Sequence, residues 1–172
     1  MKRLIVFRHA KSDWGAESQG DHERPLNERG RVAARRMGRF LAGIDQVPER
    51  VLVSSALRAR TTLELAIEAG AWECAVDVSD DLYATTAEAA LVTLRAESDS
   101  TESLLWVGHQ PTWSELVALL SGGSPPAFPS AAMARVDLGA ERWRDVAPGG
   151  GQLAWLVTPK LVKGAGAGDY SA

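Results

Sequence analysis

The run Leu4-Ile5-Val6-Phe7 passes directly into Arg8-His9 near the start of the chain. Four consecutive apolar residues, two of them β-branched and one aromatic, predict a strand buried on both faces, as in the interior of a parallel sheet. The strand ends on a guanidinium and an imidazole. In an open α/β sheet, ligands bind in the crevice at the carboxyl ends of parallel strands. A histidine at that point is held on rigid backbone and stays within a substrate's reach. His9 is therefore the candidate reactive group, and the rest of the sequence is read for groups that could join it.

Two further apolar runs have the same form. Val51-Leu52-Val53 stops at Ser54-Ser55, and Leu104-Leu105-Trp106-Val107 stops at Gly108-His109. Helical stripes lie between them. Asn27 with Glu28 reads as an N-cap followed by an acid suited to the positive end of the helix dipole, and Ala33, Met37, Phe40, Leu41 and Ile44 then predict a helix over about 28–42. Ser54-Ser55 read as caps for a helix striped by Leu63, Ala66 and Ile67, with Arg58 in its first turn. Ala75-Val76-Asp77-Val78 is a weaker strand, followed by the acidic turn Asp80-Asp81-Leu82-Tyr83 and a stripe at Ala87, Ala90, Leu91 and Leu94. Thr112-Trp113-Ser114-Glu115 has the pattern of a capping box ahead of Leu116, Val117 and Leu120.

Residues 131–138 and 153–157 read as two late strands around a glycine-rich turn. Strands alternating with helices predict an α/β fold, a three-layer α/β/α sandwich with a mainly parallel central sheet; antiparallel pairing at one edge is open to the late pair. Residues 10–27, with Trp14, Gly15, Gly20, His22, Arg24 and Pro25, form a polar loop long enough to suggest a functional role.

A chain of 172 residues suits one domain, taken as 1–163, with the small, polar segment 164–172 as a flexible tail. No apolar run nears the ~20 residues of a membrane span, and the N-terminus lacks a signal-peptide core, so the chain reads as soluble and cytoplasmic with no membrane partner. Cys74 is the only cysteine, which excludes an intrachain disulfide and a thiolate zinc cluster. Residues 1–60 carry thirteen Lys/Arg against seven Asp/Glu, and the remainder six against fifteen. Five of those arginines, 29, 31, 35, 36 and 39, share one helical segment, which reads as a solvated face and not as a nucleic-acid surface. No basic pattern interleaved with aromatics offers bases a stacking platform.

His9 after the first strand, Arg58 after the second and His109 after the third strong one fall on the same edge of such a sheet. With Arg8 they bring two guanidiniums and two imidazoles to one small volume. Arginine forks match phosphate oxygens, and a helix N-terminus adds N–H donors. A neutral imidazole is nucleophilic near neutral pH, so attack by His9 gives a phosphohistidine that water can cleave. A protonated His109 and the arginines would stabilise charge on the equatorial oxygens without a metal or cofactor. Lys11 and Ser12 are further candidate phosphate donors. Arg60 competes with Arg58 on register alone. His22 and Arg24 are either exposed turn residues or docking groups, and Trp14 either lines the mouth of the pocket or anchors the loop.

Arg8-His9-Ala10, Ser55-Ala56-Leu57-Arg58-Ala59 and Gly108-His109-Gln110-Pro111 resemble the motifs of the histidine phosphatase (phosphoglycerate-mutase-like) superfamily. The segment Arg24-Pro25-Leu26-Asn27-Glu28-Arg29-Gly30 resembles its SixA-type phosphohistidine phosphatase branch. The resemblance runs over about residues 3–160. It implies the phosphoglycerate-mutase-like fold, His9 as nucleophile, and Arg8, Arg58 and His109 as phosphate-binding catalytic groups. Two departures stand out. Ala10 replaces the family's glycine, which is harmless where φ is negative. No glutamate is placed to protonate a leaving oxygen after Tyr83, since Glu88 has the surroundings of an ordinary helix residue.

An alkoxide must receive a proton to leave, whereas an imidazole can depart already protonated, so the missing acid favours P–N over P–O cleavage. The expected substrate is a phosphorylated protein histidine or a small phosphorylated molecule. The alternatives are a small-molecule phosphomonoesterase drawing its acid from the loop, at Asp13 or Glu17, and a phosphate-binding relative without turnover. Cysteine-based phosphatase chemistry is excluded because Asp80 stands where an arginine must follow Cys74 by six residues. No Asp-x-Asp strand end, Walker-type loop or Gly-x-Ser-x-Gly elbow is present.

Overall fold

The computed structural model describes residues 1–17 and 20–165. In chain order the elements are β1 (Lys2–Arg8), α1 (Glu28–Gly43), β2 (Arg50–Ser54), α2 (Leu57–Gly70), β3 (Ala75–Ser79), α3 (Ala87–Arg95), β4 (Ser103–Gly108), α4 (Thr112–Ser121), β5 (Met133–Leu138), β6 (Gly151–Val157) and α5 (Pro159–Ala165). Short 3-10 turns at Asp80–Leu82 and Trp143–Asp145 follow β3 and β5. The strands form one six-stranded sheet in the order β3-β2-β4-β1-β5-β6. β1 pairs in parallel with β4, and β2 with both β3 and β4. β5 runs antiparallel to both β1 and β6, so the late pair closes one side of the sheet with antiparallel pairing.

The period-2 alternation of side chains sends each central strand into two cores. Leu4 and Val6 of β1, Leu52 of β2, and Leu104 and Trp106 of β4 pack with α3 and α4. Ile5 and Phe7, Val51 and Val53, and Leu105 and Val107 pack on the other face with α1 and α2. That double burial is why these strands read as unbroken apolar runs.

Three local expectations are corrected. Neither Ser54 nor Ser55 is the N-cap of α2, which begins after Ala56 without a side-chain cap. The Ser54 hydroxyl bonds instead to His109, and that of Ser55 to His22. The capping box of α4 does not form: Pro111 precedes the helix, Gln110 Oε1 accepts the Ser114 N–H at 3.0 Å, and Thr112 donates away to the Thr85 carbonyl. The expected flexible tail starts too early, because Gly164 and Ala165 complete α5; residues 166–172 lie outside the described residues. Asn27 does cap α1, its side chain accepting the Gly30 N–H at 2.9 Å. No helix among the described residues is long and apolar enough to cross a membrane.

Candidate active site

The carboxyl ends of β1, β2 and β4 meet the long loop in a cleft of about 440 Å³. At the end of β1, Arg8 Nη1 donates to the Phe128 carbonyl at 2.8 Å, while its buried Nε finds no partner among the described residues. Backbone bonds fix His9 on both sides, its N–H reaching Gly108 O at 2.9 Å and its carbonyl accepting from Ala131. The indole N–H of Trp113 holds the Phe7 carbonyl at 3.0 Å, and its ring lies where any side chain at Gly108 would collide with it. Ala10 has no positive φ, and its N–H donates to Thr62 Oγ1 at 2.9 Å, so this backbone tolerates alanine where the family has glycine.

Nδ1 of His9 is 2.7 Å from the Ala10 carbonyl. A carbonyl only accepts, so Nδ1 carries the proton and Nε2 is left with a lone pair. The His109 ring stands beside it, centroid to centroid 5.1 Å. Its Nδ1 lies 3.4 Å from Arg58 Nη2, a group that only donates, and its Nε2 is 2.8 Å from the Ser54 hydroxyl. Ser54 is fully buried at the end of β2, so it fixes this ring from below. Burial is the main cause that pushes His9 down to about 3 and His109 to about 4; the neighbouring arginines act in the same direction. Both imidazoles are neutral near pH 7 in the unliganded cleft.

Arg58 lines the cleft and Arg60 does not. Its Nη1 donates to the Asp21 carbonyl at 2.6 Å and its Nη2 to Asp21 Oδ2 at 2.9 Å, while its buried Nε, like that of Arg8, has no partner among the described residues. Asp21 is the hub of the loop side. Arg24 donates to its Oδ1 through Nη2 at 2.8 Å and Nε at 3.3 Å, and Tyr83 donates to its Oδ2 at 3.2 Å. The Arg24 bonds, then the charge of Arg58, outweigh partial burial and hold the carboxyl at about 2. It is ionised throughout the working range and has no proton to give.

The loop itself is pinned at its base. The Asp13 N–H reaches Pro25 O at 2.8 Å and the Asn27 N–H reaches Lys11 O at 3.0 Å, and this pair of bonds bridges Ser12 to Leu26. Gly30 lets α1 sit against the backbone of Lys11, where a Cβ would collide with it. Lys11 and Ser12 both line the cleft, Lys11 exposed and Ser12 buried with its hydroxyl accepting from Arg24 Nη1. Trp14 stands at the mouth, 80% exposed, with the Arg24 guanidinium 3.6 Å from its ring centroid.

The structure narrows the roles left open for the loop residues and for Glu88. Arg24 is buried, paired with Asp21 and part of the cleft lining, so it is not an exposed turn residue, and the docking role is the one left to it. His22 bonds to Glu23 and Ser55 outside the cleft lining and anchors the loop. Glu88 and Asp13 do not line the cleft: Glu88 is exposed beside a separate groove, and Asp13 caps the Gly15 N–H. Glu17 does not line it either. Asp21, Tyr83 and the bonding role of Ser54 went unforeseen; an Asp three residues ahead of an Arg was the one local signal. Among the described residues, no group of three or more His, Cys, Asp or Glu side chains is arranged to hold a metal ion.

Comparison with known proteins places the chain in a family. The model of the histidine phosphatase superfamily (branch 1) matches residues 4–85. Phosphohistidine phosphatase SixA of Escherichia coli (strain K12) is 31% identical over 165 residues, covering 94% of this chain and 96% of that protein. The chain belongs to the histidine phosphatase superfamily. Another relative, an uncharacterized protein of Mycobacterium tuberculosis (strain H37Rv), is 32% identical over 165 residues, covering 90% of this chain and all of that one. Among solved structures, the protein histidine phosphatase SixA complexed with tungstate superposes with a TM-score of 0.79 at 29% identity, over 92% of this chain and 97% of that one. The mixed sheet with its antiparallel side is thus the phosphoglycerate-mutase-like fold of this superfamily.

Proposed function

We propose that the protein is a metal-independent phosphatase that passes a phosphoryl group to His9 and then to water, with phosphohistidine on a protein as its preferred substrate. One observation carries the reading: the guanidiniums of Arg8 and Arg58 line a single cleft with two neutral imidazoles. Guanidinium forks match the oxygens of a tetrahedral dianion, and two of them balance its charge. The solved SixA structure holds tungstate, an oxyanion of that shape.

Nε2 of His9 attacks phosphorus while its Nδ1–H stays on the Ala10 carbonyl, which stabilises the positive charge that the ring acquires. Arg8 and Arg58 neutralise the equatorial oxygens, with Lys11 and Ser12 as further donors at the rim. His109 begins neutral; the arriving dianion raises its proton affinity, so it becomes the added cation of the loaded site. Water then cleaves the phospho-His9 intermediate.

The substrate preference follows from the carboxylates. Asp21 is the single carboxylate among the described residues lining the cleft, and it is ionised. No acid stands ready for an alkoxide, whereas an imidazole leaves carrying its own proton. The similarity to phosphohistidine phosphatase SixA points the same way. Residues 1–163 would act as one catalytic unit, in the cytoplasm.

Rapid quenching at alkaline pH with labelled substrate should trap acid-labile phosphate on His9, and a substrate panel should place phosphohistidine ahead of sugar phosphates. Faster release from a sugar phosphate would overturn the substrate assignment. Turnover without any trapped intermediate, and undiminished in His9→Asn, would overturn the mechanism.

A further inference from the structure

Neighbouring rings run His9, His109 and Tyr83 along one wall of the cleft and on to His22 beyond its lining, with centroids 5.1, 5.7 and 4.9 Å apart in turn. Of the three that line the cleft, Tyr83 is the one that the phosphoryl-transfer chemistry leaves unused. Its backbone is set by the 3-10 turn Asp80–Leu82, its N–H bonding to Asp80 O at 2.9 Å, and buried Leu82 anchors that turn in the core. The ring packs edge-on against both histidines and reaches the cleft beside His109.

Asp21 decides what the Tyr83 hydroxyl can do. Its carboxylate is ionised, so between the two groups only the phenol can donate. Asp21 already accepts twice on each oxygen, from Arg24 at Oδ1 and from Arg58 and Tyr83 at Oδ2, which fills the four lone-pair sites of a carboxylate. It has no vacant acceptor for a substrate. Tyr83, with its proton committed, still has lone pairs to offer.

We propose that Tyr83, oriented by Asp21, receives the leaving group, and that its hydroxyl oxygen accepts the ring N–H of the departing imidazole. The proposal rests on the phosphatase reading above and deepens it. The substrate ring enters protonated on the nitrogen that does not carry phosphorus, and that N–H donates to Tyr83. His9 Nε2 forms the new P–N bond. The old P–N bond breaks, its electron pair returns to the substrate ring, and the ring departs as neutral imidazole with its proton in place. An oxyanion leaving group would instead meet a lone pair backed by a carboxylate. The site thereby favours leaving groups that carry an N–H, from imidazole or a simple amine, over those that leave as oxyanions.

The test compares kcat/KM for a phosphohistidine peptide, for phosphoramidate and for p-nitrophenyl phosphate in the wild type, Tyr83→Phe, Asp21→Asn and the double variant. Tyr83→Phe keeps the ring contacts and removes the oxygen; circular dichroism and thermal melts verify its fold. The expected result is a fall of about fivefold to tenfold in the ratio of each P–N substrate to the aryl phosphate, the effect of one lost hydrogen bond. Whatever Asp21→Asn costs through Arg58 is common to all three substrates and cancels in the ratio. Because both residues act on one path, the double variant should lower the ratio no further than the more severe single. An unchanged ratio in Tyr83→Phe, or a ratio that rises because Tyr83 protonates oxyanions, would overturn the proposal and leave the phosphatase reading standing. A wild-type enzyme inactive on both P–N substrates would overturn both.

Discussion

The two halves of the cleft are built differently. On one side His9, Arg8, Arg58 and His109 sit at or just beyond the ends of buried strands, fixed by backbone bonds and by a fully buried serine. On the other, Ser12, Trp14, Asp21 and Arg24 sit on a loop excursion tied at its base and held above it by ion pairs. In the proposed mechanism the strand-end half carries the groups that make and break bonds to phosphorus, and the loop half sets the charge around them. Rigid elements position reacting atoms more precisely than loops do. The difference teaches that the chemistry and the choice of substrate are separable, and that substitutions on the two sides should fail in different ways.

The sharpest separation should come from His9→Asn. Removing the nucleophile should lower kcat by at least about a thousandfold on every substrate alike, measured as phosphate release with the fold verified by circular dichroism. A loss confined to one substrate class would mean that the two halves are not separable. Next in size, Arg58→Ala should cost about a hundredfold or more in kcat/KM through lost stabilisation of the transferring phosphoryl group. Arg24→Ala should cost about tenfold or less, since the Arg24 guanidinium, though part of the cleft lining, spends its N–H groups on Asp21 and Ser12. Equal losses would erase the distinction between the strand-end cation and the loop cation.

The strand-end half was legible because apolar periodicity marks the strands, and whatever follows a buried strand in sequence must also follow it in space. Arg8-His9 and Gly108-His109 needed no more than that. The loop half obeys no period. Asp21 meets Arg58 and Tyr83 across 37 and 62 residues, and only the folded sheet brings those positions together. The serines after β2 show the same limit from the other side. Read locally, Ser54 and Ser55 cap a helix, but in the fold their hydroxyls serve two histidines from distant elements. Long-range partners outcompeted a local rule. α5 was missed because its seven residues show too little of a helical stripe, although Thr158 accepts the Leu161 N–H in the manner of a cap.

Acid should take the halves apart in order. His9 and His109 fall from an ordinary value of 6.5 to about 3 and about 4, so the unfolded chain binds protons below 6.5 that the folded one refuses. Their neutral burial therefore favours the fold fully above 6.5, and that contribution is lost as the pH falls through about 4 and then about 3. Asp21 drops from 3.8 to about 2, so its contribution is present above 3.8 and is lost only below that value. Urea midpoints should decline between about pH 6.5 and pH 4.5. A His9→Asn, His109→Gln double variant should flatten that decline and Asp21→Asn should leave it in place. A decline carried by Asp21→Asn alone would reverse the assignment. Saturating inorganic phosphate should shift the His109 resonances toward a higher titration midpoint by raising its proton affinity.

The smallest effect concerns what holds the loop half together. Trp14 has a large ring, but it is 80% exposed, and its ring is met by the Arg24 guanidinium. An exposed cation–π contact is worth about 0.5–1 kcal/mol, whereas Arg24 also has its bonds to Asp21 and Ser12, and a pair of backbone hydrogen bonds closes the loop beneath. Trp14→Ala should therefore lower unfolding stability by no more than about 1 kcal/mol in a urea titration, and kcat for phosphoramidate should change little, because Asp21, Arg58 and Tyr83 keep their mutual bonds. Should the loss exceed about 2 kcal/mol, beyond what such a contact supplies, the ring and not the ion-pair network would be the loop's main anchor. The loop half would then share the packed character of the strand ends, and the contrast between the two sides would narrow to sequence position alone.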